Sequence, residues 1–373
     1  MTGGARTDLP GPEWELLELL CTTADPATVA DGFRRLMDCG IRWGELLDHA
    51  LRHRMLTLVA YPGIESGAVA QMPIRVAEHL HSVLALNRYR RQAWYTELGR
   101  VTDAFQAEGI DTVARKGGAY EATLYGGNGS RWLGDLDLLI RPEDGERAAG
   151  VLTGLGYACG LYDFQDRRIV PFSRPELIRY RLNPDHLPTY TLVTGDPLVP
   201  VLEVDCATSL TWARGPYQVP VADVLAQRQQ LVVQAPPPVT VPRALPVYQF
   251  LDTVLHLFRE AWFDWWLEKE QDVDLMKFGD VIRLAAAYRD DLVGGRFRDL
   301  VVRADVVQPV CWVLEHLDRT FATQLTDDLG LAGQVTEEFL ASAAASGPQT
   351  PVWHADMRAR LYARDRRRLL APA

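Results

Sequence analysis

The sequence predicts an α+β protein, a small mixed β-sheet core flanked by N-terminal and C-terminal α-helical regions. Three observations lead to this. Apolar residues recur at three- and four-residue spacing before residue 105 and after 245, the period of an amphipathic helix. Short β-branched runs bounded by glycine and proline are confined to the stretch between them. Strands kept apart from helices in this way favour an α+β layout over an alternating βαβ one. A chain of 373 residues has room for two or three units, and the divisions fall at 1–105 (helical), 106–235 (the core) and 236–373 (helical).

In order along the chain, Leu16, Leu17, Leu19 and Leu20 open one amphipathic run, Trp43 to His53 forms another, and 74–106 a longer one. Ile110 to Arg115 follows Gly109 and is β-branched, so it reads as a strand. Lys116-Gly117-Gly118 reads as a turn, Ala119 to Tyr125 as a short helix and Gly126 to Ser130 as a loop. Leu136 to Ile140 is a second strand. Pro142 suits a helix start, acids fill the first turn after it, and Gly156 closes that helix. Pro188 to Val193 and Leu198 to Cys206 flank Thr194-Gly195-Asp196-Pro197 as a β-hairpin. Ala235-Pro-Pro-Pro-Val-Thr-Val241 reads as a linker, after which helical periods return at 246–262, 271–290, 298–325 and 334–346.

Composition narrows the function. The chain is 47% hydrophobic and 24% charged, ordinary for a globular protein, and its formal net charge is −10. That charge disfavours nucleic acid as a partner, because general affinity for it comes from Lys and Arg on phosphate. The five cysteines, at 21, 39, 159, 206 and 311, form no C-x-x-C pair, and their odd number argues against a disulfide framework. They read as buried small apolar residues in a reducing cytoplasm. No apolar segment follows the N-terminal residues, and no run approaches the ~18 apolar residues of a membrane helix, so a cytoplasmic protein without a membrane partner is expected. Walker A, G-x-G-x-x-G, H-E-x-x-H and G-x-S-x-G patterns are absent.

The sharpest local feature is Gly134-Asp135-Leu136-Asp137-Leu138-Leu139-Ile140. In a strand, residues two apart share a face, so Asp135 and Asp137 project together. Paired carboxylates repel unless a cation neutralises them, and Mg²⁺ takes a few carboxylates together with substrate phosphates. Upstream, the Lys116-Gly117-Gly118 turn lets backbone N–H groups approach phosphate closely. Downstream, Val201-Leu-Glu-Val-Asp-Cys206 places Glu203 and Asp205 on one strand face; a third carboxylate beside the first pair completes a two-metal site, and spacing leaves both acids open. His186 is read either as a substrate-orienting group or as a surface histidine. Trp262-Phe-Asp-Trp-Trp266 reads as core or interface, and Arg364 with Arg366, Arg367 and Arg368 as a solvated basic end.

Val113-Ala-Arg-Lys-Gly-Gly-Ala119, Leu124-Tyr-Gly126, Arg131-Trp-Leu-Gly-Asp-Leu-Asp-Leu-Leu-Ile140 and Ala148 to Tyr157 together resemble the poorly characterised bacterial nucleotidyltransferase branch of the DNA polymerase β superfamily. The resemblance implies a nucleotidyltransferase core at 106–235. It implies that Gly117 and Gly118 occupy the phosphate turn, that Asp135 and Asp137 hold metal, and that Asp205 is the third acid. It implies that Lys116 and Arg131 lie near the nucleotide. The cofactors it implies are Mg²⁺ or Mn²⁺ with an NTP donor, ATP first. The expected reaction moves a nucleoside monophosphate from the NTP to an acceptor (small molecule, peptide or protein) and releases pyrophosphate. Two departures stand out: Gly-Gly replaces the commoner Gly-Ser, and Cys206 stands where the branch often has histidine. They support an alternative, a catalytically weak accessory protein that binds a nucleotide or a partner.

Overall fold

A computed structural model describes residues 11–23, 25–212, 217, 219–344 and 351–372. The N-terminal helices are α1 (Pro12–Thr22), α2 (Pro26–Asp38), α3 (Trp43–Arg52), α4 (Leu56–Glu65) and α5 (Ile74–Ala107). The core follows as β1 (Thr112–Ala114), α6 (Gly117–Thr123), β2 (Leu136–Ile140), α7 (Gly145–Gly154), β3 (Ala158–Asp163), β4 (Arg168–Pro171), α8 (Arg174–Leu182), β5 (Tyr190–Asp196), β6 (Val199–Ala207), α9 (Val221–Ala226), β7 (Gln229–Val233) and β8 (Val239–Arg243). The C-terminal part carries α10 (Pro246–Trp262), α11 (Leu275–Ala287), α12 (Arg289–Leu292), α13 (Arg296–Arg303), α14 (Val307–Phe321), α15 (Leu325–Asp328), α16 (Glu337–Ala341), β9 (Pro351–Trp353), α17 (Met357–Tyr362) and β10 (Leu370–Pro372). The α+β expectation holds: one mixed sheet lies in the middle of the chain, with helices before and after it. Among the described residues, no helix is long and apolar enough to cross a membrane.

The eight strands of the main sheet run in the order β4-β3-β5-β6-β2-β1-β8-β7. β2 pairs parallel with β6 and β1 parallel with β8, while the other neighbours are antiparallel. The fully buried pattern of Leu136-Asp-Leu-Leu-Ile140 marks β2 as a central strand with both faces covered. One layer over it is α5, which buries Trp94, Tyr95, Leu98, Val101 and Phe105 against the sheet. The helix approaches β8 so closely that a Cβ on Gly99 would lie 2.7 Å from Val239 Cγ1. Each large side chain buried there contributes about 1.5–3 kcal/mol. Behind the sheet, α1 packs on α11, with Cys21 Sγ donating to Leu275 O at 3.3 Å, and the N- and C-terminal helices share one apolar core.

Three stretches differ from the expectation. Ala235 to Val241 is no linker: it forms the tip of the β7–β8 hairpin and the start of β8, whose Arg243 pairs with Ala114 of β1. Residues 158–182 add a hairpin, β3–β4, and a helix, α8, that periodicity does not reveal. The basic C-terminal end is only partly solvated: Arg366 is buried and pairs with Asp272 at 2.7 Å. Trp262 packs in the core as expected, stacked on Phe258 with centroids 5.1 Å apart. Cys21, Cys206 and Cys311 meet the expectation of burial, and the exposed Cys39 does not.

Candidate active site

The parallel register of β2 and β6 sets Asp137 beside Asp205 as Cα partners. Asp135 precedes β2 by one residue and projects to the same side, so carboxylate oxygens of Asp135, Asp137 and Asp205 all lie within 4.8 Å of one another. Glu203, two residues before Asp205, pairs with Thr191 of β5 and does not join this group. Of the two acids that spacing left open, register brings Asp205 to the pair. Cys206 points the other way: it is buried in the core behind the carboxylates, level with Leu138, and burial pushes its thiol up.

The loop into Asp135 is anchored residue by residue. Gly126, Gly127 and Gly129 have positive φ, which glycine adopts without a steric cost. Asn87 on α5 donates its Nδ2 to Gly129 O at 2.7 Å and to Arg131 O at 3.0 Å. Glu121 accepts from Gly129 N–H at 3.0 Å and pairs with Arg91 at 2.6 Å. Thr57 donates to Ser130 O at 2.7 Å. These bonds satisfy polar atoms of a loop buried at Gly129 to Arg131 and help fix where β2 begins.

Lys116, the residue just before α6, has φ 42° and ψ −119°, a backbone conformation rare for a residue with a side chain. Its ammonium donates to Asp137 Oδ1 at 2.8 Å. Burial is the largest single influence and draws the lysine's pKa down, but Asp137, Asp135 and Asp205 together outweigh it, and the net shift is upward. Gly117 and Gly118 lie inside the first turn of α6 rather than in a separate turn. A Cβ on Gly118 would crowd Ala114 Cβ and Trp94, each at 3.2 Å, and one on Gly117 would lie 2.7 Å from Arg131 Nη1. The Gly-Gly pair thus has a packing reason. Arg131 is buried and held by Asp280 of α11, Nη2 at 2.7 Å and Nε at 3.0 Å, so its guanidinium braces the back of α6. His186 sits beside the site, bridged to Ala207 and 3.1 Å from Asp185.

The helix expected at 246–262 forms as α10, but sequence reading missed the polar stripe along it. Asp252, His256 and Glu260 recur every four residues on one face of it. Asp252 takes Arg115, the neighbour of Lys116, in a two-pronged pair with Nε at 2.8 Å. Glu260 takes His256 at 3.2 Å and Lys277 at 2.6 Å. A polar stripe at helical spacing inside an otherwise apolar helix was the available signal.

The charge pattern fits a divalent cation. Three carboxylates converge on one ammonium, and Asp205 Oδ1 is buried without a hydrogen-bond partner. A buried unpaired carboxylate oxygen is costly unless a ligand satisfies it. Hard oxygen donors at such spacing suit Mg²⁺ or Mn²⁺, with Asp135, Asp137 and Asp205 as the residues that would hold it. The Asp137 carboxylate, and then burial, push Asp135 up to about 7 against the pull of Lys116. Asp135 itself keeps solvent access, so the neighbouring charge is the cause that counts. Its folded pKa lies above the unfolded value of about 3.9. Between those values the folded state holds a proton that the unfolded chain has lost. Metal-free stability should therefore fall as pH rises from about 4 to about 7 and then level off. Melting curves across that range should show Asp135→Asn gaining on the wild type as pH rises; a constant gap would contradict the assigned repulsion.

Lys116→Ala removes the ammonium from the trio. The metal-free protein should lose about 1–3 kcal/mol, moderated because a proton on the trio absorbs part of the charge. Added Mg²⁺ should restore part of the loss, since the cation replaces the ammonium. Urea unfolding with and without Mg²⁺ measures both, and no recovery with metal would count against the site.

The mixed sheet thus brings together three carboxylates that could hold a metal ion. Residues 40–322 match the family model described as uncharacterised nucleotidyltransferase, and the chain belongs to that family. No curated protein and no solved structure matches the chain.

Proposed function

We propose that the protein is a metal-dependent nucleotidyltransferase of the DNA polymerase β type that moves a nucleoside monophosphate from an NTP, ATP first, to an acceptor hydroxyl. The observation that carries this reading is the convergence of Asp135, Asp137 and Asp205 within 4.8 Å, with Lys116 on Asp137, in a chain of a nucleotidyltransferase family. When bound, divalent cations on such carboxylates neutralise triphosphate charge and lower the pKa of an attacking hydroxyl.

The chain's own residues supply the rest. Asp135 and Asp137 set where the cation and the triphosphate meet. Lys116, released from Asp137, carries its charge to the phosphates, where an ammonium acts as a mobile point charge. The N–H of Gly117 follows it in the chain, whereas that of Gly118 already donates to Arg115 O at 3.0 Å. Arg131 acts from behind, keeping α6 in place through Asp280 rather than touching the nucleotide directly. The acceptor oxygen attacks the α-phosphorus, the bond to the pyrophosphate oxygen breaks, and the hydroxyl proton passes to the Asp205 carboxylate. Positioning and charge neutralisation supply most of the acceleration.

The test is an NTP panel with Mg²⁺ or Mn²⁺, reading pyrophosphate release and mass gain on candidate small molecules, peptides and proteins. Release that requires metal and one preferred NTP is the expected result. Nucleotide binding with no release on any acceptor would favour the accessory reading instead.

A further inference from the structure

Residues 160–182 form an arm with unusual surface chemistry. β3 pairs with β5 only at Ala158 and Cys159, then leaves it to pair with β4, the edge strand of the sheet. Gly160 permits the hairpin to close, because a Cβ there would lie 2.3 Å from Val170 O. After the hairpin comes α8, a nine-residue helix that buries none of its residues. A helix this short gains little from propensity alone and ordinarily depends on packing an apolar face.

The arm leaves large apolar side chains in water: Leu161 at 48%, Phe164 at 71%, Val170 at 42%, Ile178 at 43% and Leu182 at 66% exposed. Leu161 and Val170 are cross-strand partners and so share one face of the hairpin. Single exposed apolar residues are normal, but a concentration of this kind marks an interaction surface.

Charge indicates what covers it. The arm has five arginines and three acids, in a chain whose net charge is −10. Every acid is engaged: Asp163 accepts from Gln165 N and Asp166 N, Asp166 pairs with Arg168, and Glu176 closes the capping box on Ser173. Among the described residues, Arg167, Arg174, Arg179 and Arg181 make no ion pair within 4 Å. Four uncommitted guanidiniums around exposed aliphatic side chains match the anatomy of a protein interface, an apolar patch with a charged rim. Four of the five exposed apolar side chains, all but Phe164, are aliphatic and would gain little from a nucleic acid, which favours a protein over RNA or DNA.

The arm also returns to the carboxylates. Leu187 N–H donates to Cys206 O at 2.8 Å, and His186 bridges Ala207, so the chain leaving α8 runs beside Asp205. The ring of Tyr180 on α8 meets His186 edge-on at 5.4 Å.

We propose that this arm docks a protein acceptor through a segment combining acidic and apolar side chains, and that the site modifies a hydroxyl-bearing residue of that partner. The transfer half of this rests on the proposed nucleotidyltransferase activity; the docking half does not. Docking would bring an Asp- or Glu-flanked serine, threonine or tyrosine to the carboxylates without needing a basic surface elsewhere.

The test selects a phage-displayed random-peptide library on the full chain. Enriched peptides should carry acidic residues next to apolar ones. The best of them should bind about tenfold or more weakly, some 1.4 kcal/mol, to the variant Arg167→Glu/Arg174→Glu/Arg179→Glu/Arg181→Glu. All four arginines are exposed, so the variant should fold, and its melting shift with Mg²⁺ and ATP should equal the wild type's. Absence of acidic enrichment, or equal binding by both proteins, would overturn the proposal. So would oligouridine RNA binding that depends on these arginines and outcompetes the peptides. The Asp135→Asn/Asp137→Asn variant separates the two halves. It should keep the peptide binding, and peptide binding in a wild type with no response to Mg²⁺ and ATP would sink the transferase reading alone.

Discussion

Replacing Asp135 and Asp137 together by asparagine should lower metal-dependent nucleotidyl transfer by several orders of magnitude while leaving the metal-free protein as stable as before, or more so. Both halves follow from the same geometry. The two carboxylates and Asp205 crowd within 4.8 Å, and Lys116 is the ammonium paired within the trio. Removing two negative charges of unchanged shape relieves repulsion in the free protein. It also removes the oxygens that would anchor the cation, and cations of this kind supply much of the charge stabilisation in phosphoryl chemistry. Pyrophosphate release measures the first half and thermal melting without divalent ions the second. A variant that loses activity because it unfolds would be a different outcome, pointing to carboxylates that hold the fold together.

The other large effect lies behind the site. Asp280→Ala should cost about 3–5 kcal/mol, because it strands the buried Arg131 guanidinium without its partner. Asp280 holds Arg131 through two bonds and also accepts from Tyr125 Oη at 2.8 Å, tying the glycine loop to α11. Replacing both members, Arg131→Met with Asp280→Leu, should restore most of the loss, since an apolar pair of similar volume is often neutral. Urea unfolding of the three proteins decides it. If Asp280→Ala is mild, Arg131 has another way to satisfy its charge, and its assignment as a brace fails.

Much of the core could be read from residue patterns, for physical reasons that differ from element to element. The D-x-D strand was legible because a period of two puts its acids on one face and its leucines on the other, whatever the strand pairs with. The choice between Glu203 and Asp205 was not, because it depends on the register of two strands more than 60 residues apart, which neither strand encodes locally. Lys116 could be suspected of meeting phosphate, but its pairing with Asp137 comes with a positive φ just before α6, and a lysine gives no hint of that conformation. Arg131 was legible as a cation beside the expected phosphate turn, but its buried partner, 149 residues away, was not. The β7–β8 hairpin was hidden by its prolines. β8 meets β1 at the single pair Ala114–Arg243, so most of its length behaves as an edge that tolerates Pro242. α8 escaped detection because a helix that buries nothing has no apolar stripe to reveal it.

The most direct test is thermal melting of the wild type and of Asp135→Asn/Asp137→Asn, each with and without Mg²⁺ and ATP together. Ligands that bind only the folded state add about 2.7 kcal/mol at a hundred times their dissociation constant, so a real site produces a shift well above error. The wild type should gain stability when both are present, and the double variant should gain none. Equal gains in the two proteins would mean that the nucleotide and its metal bind elsewhere, and that the carboxylate trio is not the centre of this protein's chemistry.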